Sequence, residues 1–281
     1  MVVGGASAVR VSTRNARFQQ WEALLTNRNK RHRSGNFLIQ GVRPISLAIE
    51  HGWPLDAVLH SSERALSVWA RAVTSAAEAP QYAVDADLLR ELGGKSDEGP
   101  EVVAVGRMPP DDLTRIRLGD DGVVVVFDRP TSPGNLGTLI RSADALGASG
   151  VVVCGHAADI YDPRTVRAST GSLFAVPTVH VPSARDALGW VDGLRAQGSD
   201  VHVVGTDEAG TTRLDQHDFT PPTVVVVGNE TTGMSAAWRE ACTELVSIPI
   251  GGAASSLNAA SAGAVALYEI ARQRGFPVGE R

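Results

Sequence analysis

"VVVVFDRPTSPGNLGTLIRSADALG" (residues 123–147) reads as a strand, a Pro/Gly-rich loop and an amphipathic helix. Its opening run is apolar without alternation, the pattern of a strand covered on both faces in a parallel sheet. The same pattern recurs at GVVVC (150–154), VHVVG (201–205), TVVVVG (223–228) and LVSIPI (245–250). Helical stretches lie between these runs, at 135–146, 165–172, 184–197, 235–243 and 256–273. Strands alternating with helices predict an α/β domain with a parallel sheet flanked by helices.

Working back from residue 123, PPDDLTRIRLGDDG (109–122) is a linker by composition, which sets the second domain at 123–281. The first domain, 1–108, reads as a smaller α/β unit. FQQWEALL (18–25), RPISLAIEHG (43–52) and ALSVWARAVTSAAE (65–78) have helical character. FLIQG (37–41), DAVLH (56–60) and EVVAVGRM (101–108) have strand character, and GGKSDEGP (93–100) is a loop.

The chain has 281 residues, 43% hydrophobic and 20% charged, a soluble-protein composition long enough for two domains. No apolar run is long enough to cross a bilayer. MVVGGASAVRVSTRN at the start lacks the apolar core of a signal peptide, so a cytoplasmic location is expected and no membrane partner. The two cysteines, Cys154 and Cys242, sit in apolar contexts without ligand spacing and read as buried thiols; no metal is expected. A net charge of −5 argues against indiscriminate coating of nucleic acid, yet residues 10–43 hold eight basic residues against Glu22. Within them NRNKRHR (27–33) offers Arg28, Lys30, Arg31 and Arg33 as phosphate contacts; the alternative is a solvated loop.

In open parallel sheets ligands bind beyond the carboxyl ends of the strands. Three loops leave such ends with unusual residues: the opening stretch, with Asn135 and Arg141; GNETTGMS (228–235), with Glu230; and IPIGGAASSLNAASAGAVALYE (248–269), with Ser256 and Asn258. Each has a structural alternative. Asn135, Ser256 and Asn258 are potential helix caps, Arg141 could pair with Asp144, and Glu230 could be a solvated turn residue. NET (229–231) matches a glycosylation sequon that a cytoplasmic protein does not use. No GxGxxG follows a strand and no P-loop is present. His156 and Asp159 read as a loop pair rather than metal ligands.

In this order and spacing the three stretches resemble the signature motifs of the SpoU (TrmH-like) family of RNA ribose 2′-O-methyltransferases, over residues 121–274. RNARFQQWEALLTNRNKRHRSGNFLIQGVRPISLAIE (14–50) is similar to the family's substrate-binding domain, an L30e-type fold. The resemblance implies an S-adenosylmethionine-dependent enzyme with a SPOUT catalytic domain, a deep C-terminal trefoil knot and a homodimeric state. The knot comes from the resemblance alone, since chain connections as a rule do not thread loops. The resemblance places Gly228, Ile248, Leu257 and Thr206 at cofactor-contacting positions, and Asn135, Arg141, Glu230, Ser256 and Asn258 at the functional polar ones. After the Ser-Leu-Asn unit many members continue Val-Ser, whereas this chain has Ala259-Ala260.

The implied substrate is ribosomal RNA, 23S in particular, with resistance to a ribosome-targeting antibiotic among the implied roles. The alternatives are transfer RNA as substrate, and a non-catalytic RNA-binding protein on the same fold. For methyl transfer to a ribose hydroxyl, a guanidinium with a pKa above about 12 is a poor base. Arg141 is therefore expected to anchor phosphate and stabilise the developing alkoxide, with the proton lost to phosphate or water.

Overall fold

The computed structural model describes residues 8–94 and 99–276. Residues 95–98 of the expected 93–100 loop, and residues 1–7 of the stretch read for a leader, lie outside the described residues. The chain divides into two units, residues up to Pro109 together with Tyr161–Ala175, and Pro110–Ile160 together with residues from Val176 onward.

In chain order the N-terminal unit contains β1 (Val9–Val11), α1 (Ala16–Thr26), α2 (Arg28–Ser34), β2 (Asn36–Gln40), α3 (Val42–Glu50), β3 (Leu55–Ser61), α4 (Val68–Ala76), β4 (Gln81–Val84), α5 (Ala86–Gly93) and β5 (Val102–Arg107). The strands form one mixed sheet in the order β1-β4-β3-β5-β2, with β5 antiparallel to both neighbours. Asn15 caps α1 by accepting from the Phe18 amide. The helix then turns Phe18, Trp21 and Leu24, spaced three apart, onto a core with Leu38, Leu59 and Val103. Asn27 ends α1 and caps α2, its Oδ1 accepting from the Lys30 amide at 3.0 Å. Gly35, at φ +67°, closes α2 in the left-handed conformation.

The basic cluster is thus a helix, and it does not present all four cations alike. Lys30 and Arg33 are exposed and Arg28 is half-buried. Arg31 is only 1% exposed. Its Nη1 donates to the Leu24 carbonyl at 2.8 Å and its Nη2 lies 3.8 Å from the Asp162 carboxylate. Arg31 therefore corrects the expectation of a phosphate contact: it is spent inside this unit, closing the last turn of α1.

The second unit contains β6 (Val123–Asp128), α6 (Pro133–Ala145) and β7 (Gly150–Cys154). After α7 (Pro163–Ala168), which groups with the N-terminal unit, come β8 (Thr178–Val181), α8 (Ala184–Ala196), β9 (His202–Thr206), β10 (Thr212–Arg213), β11 (Thr223–Val227), α9 (Ala236–Ala241), β12 (Glu244–Ser247) and α10 (Ala259–Gln273). Seven strands lie in the order β10-β12-β9-β11-β6-β7-β8, every adjacent pair parallel. Their valines make a core with Trp238, Met234 and Val191. Residues 248–250, expected as strand, lie beyond β12, and β8, a short edge strand after Pro177, was not expected. The last helix starts at Ala259 rather than at 256 because Asn258 is its cap.

Chain direction across the sheet reverses at β6: β7 and β8 extend to one side, while β11 and β9 lie on the other. The loops leaving β6 and β11 therefore emerge side by side at the carboxyl edge of the sheet. α10 packs onto α6 through a glycine. A Cβ at Gly263 would lie 2.5 Å from Leu139 Cδ1 and 3.2 Å from Val227 Cγ2.

Replacing the buried cation separates its role from that of its exposed neighbours. Arg31→Ala should destabilise by about 1–3 kcal/mol, the scale of losing charged hydrogen bonds. Arg33→Ala should change stability by less than about 0.5 kcal/mol. Urea unfolding followed by circular dichroism measures both; equal midpoints would contradict the burial argument.

Candidate active site

α6 opens with Ser132 as N-cap, whose Oγ accepts from the Asn135 amide at 3.3 Å, and with Pro133 in its first turn. Asn135 is therefore not the cap, and its side chain is free for other partners. Asn135 Nδ2 donates to Glu230 Oε1 at 3.1 Å, while Asn135 Oδ1 accepts from Asn258 Nδ2 at 3.1 Å. The three loops singled out in the sequence thus meet in one hydrogen-bonded line. Asn258 fills two roles. Its Oδ1 caps α10, accepting from the Ala260 and Ser261 amides at 3.0 and 3.2 Å, and its amide nitrogen reaches Asn135.

Asn135 is the middle of this line and Glu230 its anchored end. Oε2 accepts from the Thr131 amide and hydroxyl, both at 3.0 Å, and Oε1 accepts from the Ser132 amide at 3.1 Å as well as from Asn135. Partial burial alone would raise the carboxyl. The donors from Thr131, Asn135 and Ser132 outweigh it and hold Glu230 below the ordinary glutamate range. The group is ionised at neutral pH with its lone pairs committed to the loop before α6.

The turn carrying Glu230 is fixed from both ends. Asn229 and Gly233 pair through backbone bonds of 3.0 and 3.1 Å, and Gly233 takes φ +64°. Asn229 Oδ1 accepts from the Thr231 and Thr232 amides, and its Nδ2 donates to the Arg129 carbonyl at 2.6 Å. The asparagine of the apparent sequon is thus a turn-former. Gly228 must be glycine, since a Cβ there would lie 2.5 Å from the Met234 nitrogen and 2.6 Å from the Gly233 carbonyl carbon.

Asp128 and Arg129 support the turn, and sequence reasoning missed both. Asp128 is 2% exposed, holds Arg129 bidentately at 3.2 and 3.1 Å, and accepts from the Ser235 amide at 2.7 Å. Arg129 Nη2 also donates to the Gly233 carbonyl at 3.0 Å, from a residue held at φ +51°. The available signal was an acid closing a strand whose other positions are all apolar.

Beside the line lies a cavity of about 310 Å³. Thr206, Gly228, Ile248, Leu257, Glu230 and Ser256 all line it, so the cofactor positions expected from the sequence share one pocket. Asp207, Glu208 and Arg239 also line it and were not anticipated. Arg239 Nη2 lies 2.7 Å from Asp207 Oδ2, so this guanidinium is committed to a carboxylate rather than to a ligand phosphate. Thr206 Oγ1 donates to the Val226 carbonyl at 3.1 Å. Arg141 lies on α6 with an exposed side chain, outside the cavity lining. Burial pushes the Cys154 thiol up to about 11 and Cys242 up to about 12, so both stay protonated. Among the described residues no group of three or more His, Cys, Asp and Glu side chains could hold a metal ion.

Comparison with known proteins adds relatives to this geometry. Residues 15–104 match the SpoU L30e-like domain, and residues 122–268 match the SpoU rRNA methylase family. A 23S rRNA (uridine(2479)-2'-O)-methyltransferase from Streptomyces viridochromogenes is 57% identical over 268 residues, 95% of this chain and 93% of its own. The crystal structure of the SpoU methyltransferase AviRb from the same organism, in complex with the cofactor AdoMet, superposes with a TM-score of 0.90 at 58% identity, covering 93% of this chain and 98% of that one. An AdoMet-bound rRNA methyltransferase from Sinorhizobium meliloti matches at 29% identity with a TM-score of 0.83, covering 95% and 98%.

The ionised state of Glu230 can be followed directly. Its folded pKa is depressed, so its contribution to holding the loop is full above the ordinary glutamate value and is lost as pH falls through the folded value. In an NMR acid titration the Thr131 and Ser132 amide shifts should move with a midpoint below that ordinary value, and Glu230→Gln should abolish the step. A midpoint at or above it would refute the assignment. Gly228→Ala should leave secondary structure intact while raising amide exchange over 229–234, measured by hydrogen–deuterium exchange.

Proposed function

Because the chain belongs to the SpoU rRNA methylase family, we propose that it methylates a ribose 2′-hydroxyl of 23S ribosomal RNA with S-adenosylmethionine in the cytoplasm. The observation that carries this reading is the Glu230–Asn135–Asn258 line beside the Gly228 pocket. Bound S-adenosylmethionine supplies an electrophilic methyl group on a sulfonium. The pocket suits such a cofactor. Its walls combine Val227, Met234, Ile248 and Leu257 with loop backbone and carboxylates, and its volume is at the lower end for a ligand of that size. Its guanidinium is already neutralised by Asp207, consistent with a cofactor that carries no phosphate.

In this reading Glu230 is a positioning residue. Its lone pairs hold Thr131, Ser132 and Asn135, which leaves it a weak base and fixes the first turn of α6. Asn135 and Asn258 hold the second and third loops in register. Ser256 and Leu257 form the rim where the ribose meets the cofactor pocket. Arg141, exposed on α6, binds the RNA phosphate and stabilises the developing alkoxide, and the hydroxyl proton passes to phosphate or water. Lys30 and Arg33, with Arg28, bind RNA phosphates from the N-terminal unit.

The chain is further proposed to form a homodimer and a C-terminal trefoil knot. The small-residue face of α10 is largely used within the chain, where Ala260, Gly263, Ala266 and Ile270 are buried. The opposite face exposes Val265 at 39% and Tyr268 at 54%, beside Phe276 at 42% with ring centroids 5.3 Å apart, and this apolar patch is the proposed dimer contact. Two features support a knot. The segment after β12 returns to α6, and a Cβ at Gly210 would lie 2.6 Å from the Val246 carbonyl carbon, so the 207–213 loop runs tightly against β12.

Calorimetry on the full chain should show S-adenosylmethionine binding, unaffected by Arg141→Ala. Single-turnover methylation by Arg141→Ala should fall by about 10²–10³-fold, with little recovery in Arg141→Lys because a point charge cannot reproduce the planar fork. A near wild-type rate would remove Arg141 from the reaction. Mapping 2′-O-methylation in total RNA with and without the gene identifies the substrate, and a modified position in transfer RNA alone would overturn the ribosomal reading. Light scattering should give a dimer that Tyr268→Glu weakens; an active monomer at micromolar concentration would exclude the interface.

A further inference from the structure

The N-terminal unit contains a second cavity, of about 460 Å³, between α1, α2 and the sheet. Its lining is unlike a leftover packing gap. Lys30 and Arg33, exposed and three residues apart on α2, share the cavity side of that helix. The rotation of α2 that puts them there is locked by Arg31, which is bonded to the Leu24 carbonyl and faces Asp162. Arg17 of α1 adds a third cation. Its guanidinium lies over the Tyr82 ring, 5.0 Å from the centroid, and it also donates to the Tyr82 hydroxyl. Trp21 packs edge-on against Tyr82 with centroids 5.0 Å apart, so an aromatic pair backs the cavity. On the β3 side stands Asp56, which accepts from Asn36 Nδ2 at 3.2 Å and pairs with Arg107 at 3.1 Å.

We propose that this cavity holds one unstacked nucleotide of single-stranded RNA, its phosphate on Lys30 and Arg33 and its base against the exposed guanidinium of Arg17, which the buried Tyr82 and Trp21 back. Guanidinium planes and aromatic side chains are the surfaces on which splayed-out bases stack. The volume falls within the range of small-molecule sites. Charge sets the orientation. Two cations from α2 attract the phosphate, while Asp56 on the β3 side is paired with Arg107 and bonded to Asn36, so the free cations lie on the α2 side alone. A duplex cannot use the site, because its bases remain stacked. The N-terminal unit therefore selects RNA whose strand is already open near the target, beyond attracting it by charge.

This inference rests on the RNA-substrate reading above, and the test separates the two. The full-length chain is mixed with a single-stranded ten-nucleotide RNA carrying 4-thiouridine, or with the same sequence as a duplex, and irradiated. Cross-links are then mapped by mass spectrometry. The single strand should bind more tightly and cross-link to the peptide containing Arg17. Lys30→Ala with Arg33→Ala should abolish those cross-links and flatten the log–log salt dependence by about one unit. Arg17→Ala should weaken binding about tenfold, the scale of losing one stacked base. Both variants alter exposed residues and should bind S-adenosylmethionine normally. If the wild-type chain methylates RNA but cross-links elsewhere, or binds duplex as tightly as single strand, the nucleotide pocket is wrong and the enzyme reading stands. If no RNA binds at all, both fail.

Discussion

The carboxylate of Glu230 accepts hydrogen bonds from Thr131, Ser132 and Asn135, and through Asn135 reaches Asn258. Everything at the site depends on that anion being formed and held. Strand packing brings β6 and β11 side by side, yet it leaves the loops beyond their carboxyl ends undetermined. A single ionised group among amide donors at the start of α6 gathers those loops, helped by the positive end of the helix. Asp128 acts likewise in the layer below, bridging Arg129 and the Ser235 amide from a buried position. Two carboxylates, each with its acceptors occupied, thus shape the loops beside a cavity walled by apolar side chains, loop backbone and charged groups.

The residues at this site carry structural and functional duties together. Asn258 caps α10 with its oxygen and reaches Asn135 with its nitrogen, so capping and site-building are not competing explanations. Ser132 relieves Asn135 of the capping role, and that relief frees the Asn135 amide to join the other two loops. At the departure Ala259-Ala260, Ala259 lines the Gly228 cavity. Both positions lie in the first turn of α10, where the Ala260 amide donates to Asn258 Oδ1.

How much of this was legible in the sequence follows the range of the interactions. Continuous valine runs announce a buried parallel strand by themselves, so β6, β7, β9 and β11 were readable, and so were the loops that leave β6 and β11. The short edge strand β8 has too few apolar positions to show a period. The basic stretch 27–33 was misread at Arg31 because charge alone does not reveal burial. Its partners, the Leu24 carbonyl and Asp162, are supplied by the helix before it and by a segment distant in sequence. Asp207, Glu208 and Arg239 were missed for the same reason, since only folding places them around the Gly228 pocket.

The charge distribution gains meaning from this correction. A chain of net charge −5 repels nucleic acid on average, so binding depends on where cations are displayed rather than on how many there are. Removing Arg31 from the displayed set lowers the count but sharpens the geometry. Its buried guanidinium anchors α2, and the anchored helix presents Lys30 and Arg33 together with Arg17 at a single concavity. A diffuse basic face would attract any polyanion in proportion to its charge. In the proposed nucleotide pocket, three cations converging on one concavity would discriminate instead by what can enter.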